Sequence, residues 1–187
     1  KTKIDEKEQT IYDFDFVTLN PYMGIDAIKR FIEDCKKYDK GAFILVKTSN
    51  PSSGDLQDLK LENGEEVYTK VVKLVEEWGA DLVGKYGYSS ISAVVGATYP
   101  KQLQDLRKIA PHTFFLIPGY GAQGGKADDI ALGFDENGIG GIVNSSRGLM
   151  CAYKSDLWKD KYTEEEFEKA TRAEAIRMRD ELNKYIK

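Results

Sequence analysis

Thr113-Phe114-Phe115-Leu116-Ile117-Pro118-Gly119-Tyr120-Gly121-Ala122-Gln123-Gly124-Gly125 is the stretch on which the reading of this chain turns. Its first five residues form an apolar run, the pattern of a strand buried on both faces. The run breaks into a loop, residues 118–125, that carries four glycines. Glycine at that density does not pack a core; it lets the backbone take positive φ and come close to a ligand. A second unit of the same kind follows, in which Gly141-Ile142-Val143 runs into Asn144-Ser145-Ser146-Arg147-Gly148. Two successive strands ending in such loops suggest an anion site.

Arg147 and Gln123 are the leading ligand candidates. Arg147 lies just past the last strand, flanked by Ser146 and Gly148, where a guanidinium can hold a phosphate through two hydrogen bonds. Gln123 sits among glycines, Gly124 beside it, and is placed to donate to the same phosphate as the loop closes. The plainer alternative is a surface arginine and a turn glutamine. The order of the loops favours the phosphate, because in (β/α)8 barrels the loops after the last two strands form a frequent phosphate site.

Working back from this stretch, helical and strand patterns alternate. Phe14 to Leu19 and Ala42 to Val46 read as strands, as does Ser92 to Ala97. Between them, Ile28, Ile32 and Cys35, with Phe31 and Tyr38, recur at helical spacing, with Asp26 as a candidate cap. So do Val67, Val71, Leu74, Val75 and Trp78. Leu103, Leu106 and Ile109 follow Pro100, which suits a first helical turn capped by Thr98 or Tyr99. A short helix is expected near Ala127–Leu132. The last helix is expected from Thr163, with Glu166 completing a capping box and Ala175, Met178, Leu182 and Ile186 lining its inner face. Lys47–Gly54 reads as a polar loop, a linker follows it to about Asn63, and residues 1–10 read as a flexible charged loop.

The order is β-α five times, which implies α/β architecture with a parallel sheet and helices outside it. Ligand loops then lie at the carboxyl ends of the strands. Five units do not close a standard barrel, which takes eight in about 250 residues. Either the sheet is open, or three units lie upstream.

Composition narrows the function. The chain has 187 residues and a net charge of -4. No basic stripe marks a nucleic-acid surface, and no apolar run is long enough to cross a bilayer. Two cysteines, Cys35 and Cys151, form no disulfide framework, so a cytoplasmic setting is expected. His112, the only histidine, falls before a strand, at the wrong end for catalysis, so a histidine metal site or triad is not expected. Ser49 and Asn50, before Pro51, are placed to meet the edge of a heterocycle, or simply form a turn. Lys47 ends an apolar strand. It is either a Schiff-base nucleophile or, the favoured reading, a lysine whose head reaches solvent at the rim.

Five segments together resemble the orotidine 5'-phosphate decarboxylase family, in its bacterial "type 2" branch. They are Phe16–Gly24, Leu45–Gly54, Val94–Pro100, the loop Pro118–Gly125 and Val143–Gly148, and the likeness runs from about residue 11 almost to the end. The resemblance implies a (β/α)8 TIM barrel that converts orotidine monophosphate to UMP and CO2 without cofactor or metal, as a homodimer. It implies that Gln123 and Arg147 hold the 5'-phosphate with help from the backbone around Ser146. Ser49 would meet the pyrimidine edge, and Asn20 would line the pocket. The family's catalytic array, an Asp-x-Lys-x-x-Asp motif on the third barrel strand, has no strand-end counterpart in residues 1–187; the string that fits its letters, Asp34-Cys35-Lys36-Lys37-Tyr38-Asp39, falls in a stretch with helical spacing. By this match the chain is the C-terminal part of one barrel domain, carrying strands four to eight. It contributes no catalytic residue, and its partner would be an N-terminal fragment of the same enzyme. A non-catalytic nucleotide-binding protein and an aldolase using Lys47 are the alternatives.

Overall fold

The computed structural model describes residues 2–9, 13–121 and 125–186. An antiparallel hairpin of β1 (Thr2–Ile4) and β2 (Lys7–Gln9) comes first. Then follow β3 (Phe16–Leu19), α1 (Ile25–Tyr38), β4 (Gly41–Lys47), the short α2 (Gly54–Gln57) and α3 (Val67–Gly79). The chain continues through β5 (Ser89–Val95), α4 (Pro100–Ile109), β6 (Thr113–Pro118), α5 (Ala127–Ala131), β7 (Gly141–Asn144), α6 (Ser146–Met150) and α7 (Phe167–Leu182).

Strands β3 to β7 form one five-stranded sheet in the order β3-β4-β5-β6-β7, every neighbouring pair parallel. The order never reverses. Right-handed crossovers that always step in one direction leave the helices on one face of the sheet, whereas a doubly wound sheet reverses direction and places them on both. The architecture is therefore an α/β parallel sheet of the kind found in (β/α)8 barrels.

Alternation along each strand sorts the side chains. Ala42, Ile44 and Val46 on β4, Ile91, Ala93 and Val95 on β5, and Phe115 and Ile117 on β6 pack in one core with Ile28, Val72, Val75, Leu103, Leu106, Ile130 and Met178. The intervening residues point to the other face. There the Phe16 and Phe43 rings stack at 4.7 Å between centroids. Phe16 and Ile142 remain 45% and 53% exposed, so this second face is covered far less than the first.

Buried Arg107 ties the amino-terminal ends of β6 and β7 together. Its guanidinium donates to the carbonyls of Ala110, Thr113, Gly133 and Gly140, and lies 3.7 Å from the Phe115 ring centroid. Polar saturation and stacking are what allow a charged group to sit there.

Several local expectations hold. Cys35 is buried in the core. Pro100 opens α4 after Tyr99. Thr163 and Glu166 form the reciprocal capping box that leads into α7. Others need correction. Residues 2–9 form a hairpin rather than a loop, because Asp5 and Glu6 both take positive φ (47° and 62°), the backbone of a two-residue hairpin turn. Asp26 does not cap α1; Gly24 does, with φ of 73°, and Asp26 lies in the first turn. The polar loop after β4 contains a 3-10 turn, Pro51–Ser53, and the linker opens with α2. On α7, Ala170 and Glu174 are buried while Ala175 is exposed, a rotation of the inner face that an ion-pair network explains below.

Candidate functional site

The loops after β6 and β7 meet at the carboxyl edge of the sheet. Between them lies a cleft of about 110 Å³, lined by Pro118, Gly119, Tyr120, Asn144, Ser145, Ser146, Arg147 and Gly148. Ser145 Oγ donates to the Tyr120 carbonyl at 3.1 Å and joins the two loops. Gly148 has to be small here, since a Cβ would sit 2.5 Å from Ser145 Oγ.

Arg147 lies in the first turn of α6 and is exposed. Its side chain makes no hydrogen bond or ion pair among the described residues. The backbone N–H groups of the first helical turn also lack intrahelical acceptors. Ser146 Oγ donates to Asn144 Oδ1 at 3.0 Å. A guanidinium and backbone donors around a small cleft suit a compact anion such as phosphate.

The glycine loop is pinched at its neck. The Gly121 N–H donates to the Gly125 carbonyl at 3.0 Å, and the Gly125 N–H donates to the Gly119 carbonyl at 3.1 Å. Gly119 and Gly121 take φ of 108° and 70°, which side-chain-bearing residues rarely adopt. Gln123 and Gly124 fall outside the described residues.

Tyr120 is buried, and its hydroxyl donates to Glu181 Oε2 on α7 at 2.7 Å. Glu181 pairs in turn with Arg177, which also grips Glu174 through two nitrogens, and Trp158 Nε1 donates to Glu174 at 2.8 Å. Burial, then the bond to Glu181, pushes the Tyr120 phenol up to about 12. The Tyr120 hydrogen bond and Arg177 hold Glu181 below the usual carboxylate range. Burial alone would raise Glu174, but the bonds from Arg177 and Trp158 outweigh it and lower it. The network turns the Glu174 side of α7 inward. Periodicity could not reveal this, because its members are charged and spaced across the sequence.

Lys47 corrects the expected solvent-facing rim lysine. The register of β4 on β5 slips between Leu45, opposite Val94, and Lys47, opposite Val95. This bulge returns Lys47 to the face of Val95, the helix side, where strict alternation would have placed it with Leu45. The side chain is 1% exposed. Its Nζ donates to Asp58 Oδ1 at 2.7 Å and Ser53 Oγ at 3.3 Å, and lies 4.8 Å from the Tyr99 ring centroid and 5.6 Å from that of Tyr68. So engaged and enclosed, the amine has no path to a carbonyl carbon, and the Schiff-base alternative loses its support.

Ser49 and Asn20 stand apart from the cleft. Ser49 follows β4 and packs on Gly96, where a Cβ would lie 3.0 Å from the Ser49 nitrogen. Asn20 follows β3, and its Oδ1 accepts from the Tyr22 N–H at 3.0 Å, an Asx turn. Three strands separate β3 from β7, so at about 4.8 Å per strand Asn20 is not brought beside Arg147 within this sheet. His112 precedes β6, at the opposite end, with Nδ1 3.0 Å from the Gly87 carbonyl. Among the described residues no cluster of three metal-ligating side chains occurs, and no helix is long and apolar enough to cross a membrane.

A one-directional parallel sheet with a cleft between the last two strand-end loops places the chain in the class of (β/α)8-barrel-like proteins. More particularly, it belongs to the Orotidine 5'-phosphate decarboxylase / HUMPS family, whose sequence model matches residues 6–155. It is 44% identical over 186 residues to the orotidine 5'-phosphate decarboxylase of Caldicellulosiruptor bescii, covering 100% of this chain and 59% of that protein. It is 48% identical over 173 residues to that of Clostridium botulinum strain Hall, covering 91% and 58%. The chain thus spans about three-fifths of the length of the curated relatives it matches. Among solved structures, a putative orotidine-monophosphate-decarboxylase from Toxoplasma gondii superposes with a TM-score of 0.71 at 26% identity, covering 92% of this chain and 59% of that one. Leishmania donovani UMP synthase gives 0.65 at 32%, covering 88% and 32%.

Proposed function

We propose that this chain is the C-terminal part of an orotidine 5'-phosphate decarboxylase and, with an N-terminal part of the same barrel, converts orotidine monophosphate to UMP and CO2. The observation that carries the reading is the cleft between the β6 and β7 loops, with Arg147 at its rim in a chain of this family. The five parallel strands take places four to eight of one (β/α)8 domain, residues 1–187. The half-covered face around Phe16, Phe43 and Ile142 becomes barrel interior once the first three strands close the sheet.

In this reading Arg147 and Gln123 hold the 5'-phosphate, with Ser146, Gly124 and the local backbone assisting. Ser49 meets the pyrimidine edge, and closure of the barrel brings Asn20 to the pocket wall. The proton donor and the carboxylates that disfavour the substrate carboxylate come from the N-terminal part. The phosphate is remote from the carbon that loses CO2. Binding it raises the rate only if that energy is spent on loop closure and on the strained reacting centre. The enzyme would work as a cytoplasmic homodimer, without cofactor or metal.

Intact mass under denaturing conditions, followed by an assay of CO2 release from orotidine monophosphate, tests the reading. Turnover that requires a second segment of roughly 100 or more residues, the remainder of a typical barrel, supports it. UMP binding without turnover, with that segment present, overturns the decarboxylase and favours a nucleotide-binding protein.

A further inference from the structure

Lys47 is among the largest fully buried side chains of the described residues, and the phosphate cleft does not use it. We infer that Lys47 is a positioning residue that braces the loop carrying Ser49 and thereby sets how tightly the site takes a pyrimidine base. The inference rests on the reading of this loop as the base-contacting one.

The loop is held at both ends, and within it the Thr48 hydroxyl donates to Asn50 Oδ1 at 2.6 Å. At its start, the Thr48 N–H donates to Gln57 Oε1 at 2.9 Å and Gln57 Nε2 donates to Thr48 Oγ1 at 2.8 Å. At its far end, Lys47 Nζ ties Ser53, in the 3-10 turn, to Asp58, just beyond α2. Between these anchors Ser49 is half-buried and Asn50 exposed.

The brace is also locked to the sheet. The Gly96 N–H donates to the Lys47 carbonyl at 2.7 Å, and Gly96 lets the Ser49 backbone lie against the end of β5. The bulge is what makes this possible, because it sends the Lys47 side chain behind the loop instead of in front of it. Its ammonium is shielded by Tyr68 and Tyr99, and a charge held in so dry a place pulls strongly on Asp58 and Ser53. Lys47 touches no ligand in this arrangement; it acts through the loop.

The test compares two ligands in full-length protein. UMP carries base and phosphate; ribose 5-phosphate carries the phosphate and sugar alone. Lys47→Met and Asp58→Asn are expected to weaken UMP by about tenfold, the scale of one misaligned hydrogen bond. Ribose 5-phosphate should stay within about twofold, because its anchor lies on other strands. Equal weakening of both ligands, or no change in either, overturns the inference. Should Lys47→Met fail to fold, Asp58→Asn decides alone, since the Asp58 side chain is 39% exposed and the amide keeps its shape. Ser49→Ala, measured alongside, separates the two readings. If it weakens UMP while Asp58→Asn does not, the brace is wrong and the base contact stands. If Ser49→Ala changes nothing while Asp58→Asn selectively weakens UMP, the brace stands and the base is met by the loop's backbone.

Discussion

The Tyr120 hydroxyl donates a 2.7 Å hydrogen bond to Glu181, a residue 61 positions further along the chain. Through it the last helix holds the neck of the glycine loop, and Ser145 carries the hold across to the β7 loop. The cleft is thus anchored from behind by a helix that contributes nothing to its lining.

Tyr120→Phe removes that bond and keeps the ring. Loss of about 1 kcal/mol or less of stability is expected, the scale of one hydrogen bond to a carboxylate that is 38% exposed. Affinity for ribose 5-phosphate should fall with it. Urea unfolding and calorimetric binding measure the two; unchanged affinity would mean that α7 does not govern the loop.

Arg147→Ala in full-length protein should lower kcat/KM for orotidine monophosphate by about a hundredfold or more, the scale of two charge-assisted hydrogen bonds. Gln123→Ala should act in the same direction. Wild-type kinetics in both variants would refute the phosphate assignment.

Acid should loosen the α7 network. Glu174 and Glu181 are held below their ordinary value of 4.5. A carboxylate depressed by folding stabilises above its unfolded pKa, and that stability drains away as pH falls through the folded one. Tm should therefore drop below about pH 4.5, and less steeply in Glu181→Gln, whose pairing with Arg177 no longer titrates. Parallel Tm–pH curves for the two proteins would show that the network carries no acid-sensitive stability.

Borohydride reduction in the presence of a carbonyl substrate should leave Lys47 unmodified, because its amine is engaged by Asp58 and Ser53 and enclosed by two tyrosine rings. Peptide mapping reads this directly, and an adduct at Lys47 would restore the aldolase alternative.

Arg107→Met should cost about 3 kcal/mol or more, since it strips a donor from four carbonyls at the amino-terminal ends of β6 and β7. Denaturant unfolding is the measurement. A loss below about 1 kcal/mol would mean that water replaces the guanidinium.

The strand-helix alternation was legible because its signals are local. Unbroken apolar runs such as Ala42–Val46, Thr163 with Glu166 three residues on, and Pro100 after Tyr99 each depend on near neighbours alone. Glycines ending the last two strands suggested where a cleft would lie, and one lined in part by Arg147 lies between those two loops. The hairpin at residues 2–9 escaped notice because Asp5 and Glu6 take a backbone usually marked by glycine or asparagine.

By itself, then, the sequence determined the strand-helix alternation from β3 onward, the parallel sheet and which strand ends carry the glycine-rich loops, since periodicity and turn chemistry act over a few residues. Only the tertiary structure decided which way Lys47 points, that Tyr120 leans on Glu181, and that Arg107 ties β6 to β7. A one-residue slip in register reverses a side chain without changing composition. Ion pairs between residues tens of positions apart leave no pattern in the chain until packing brings them together.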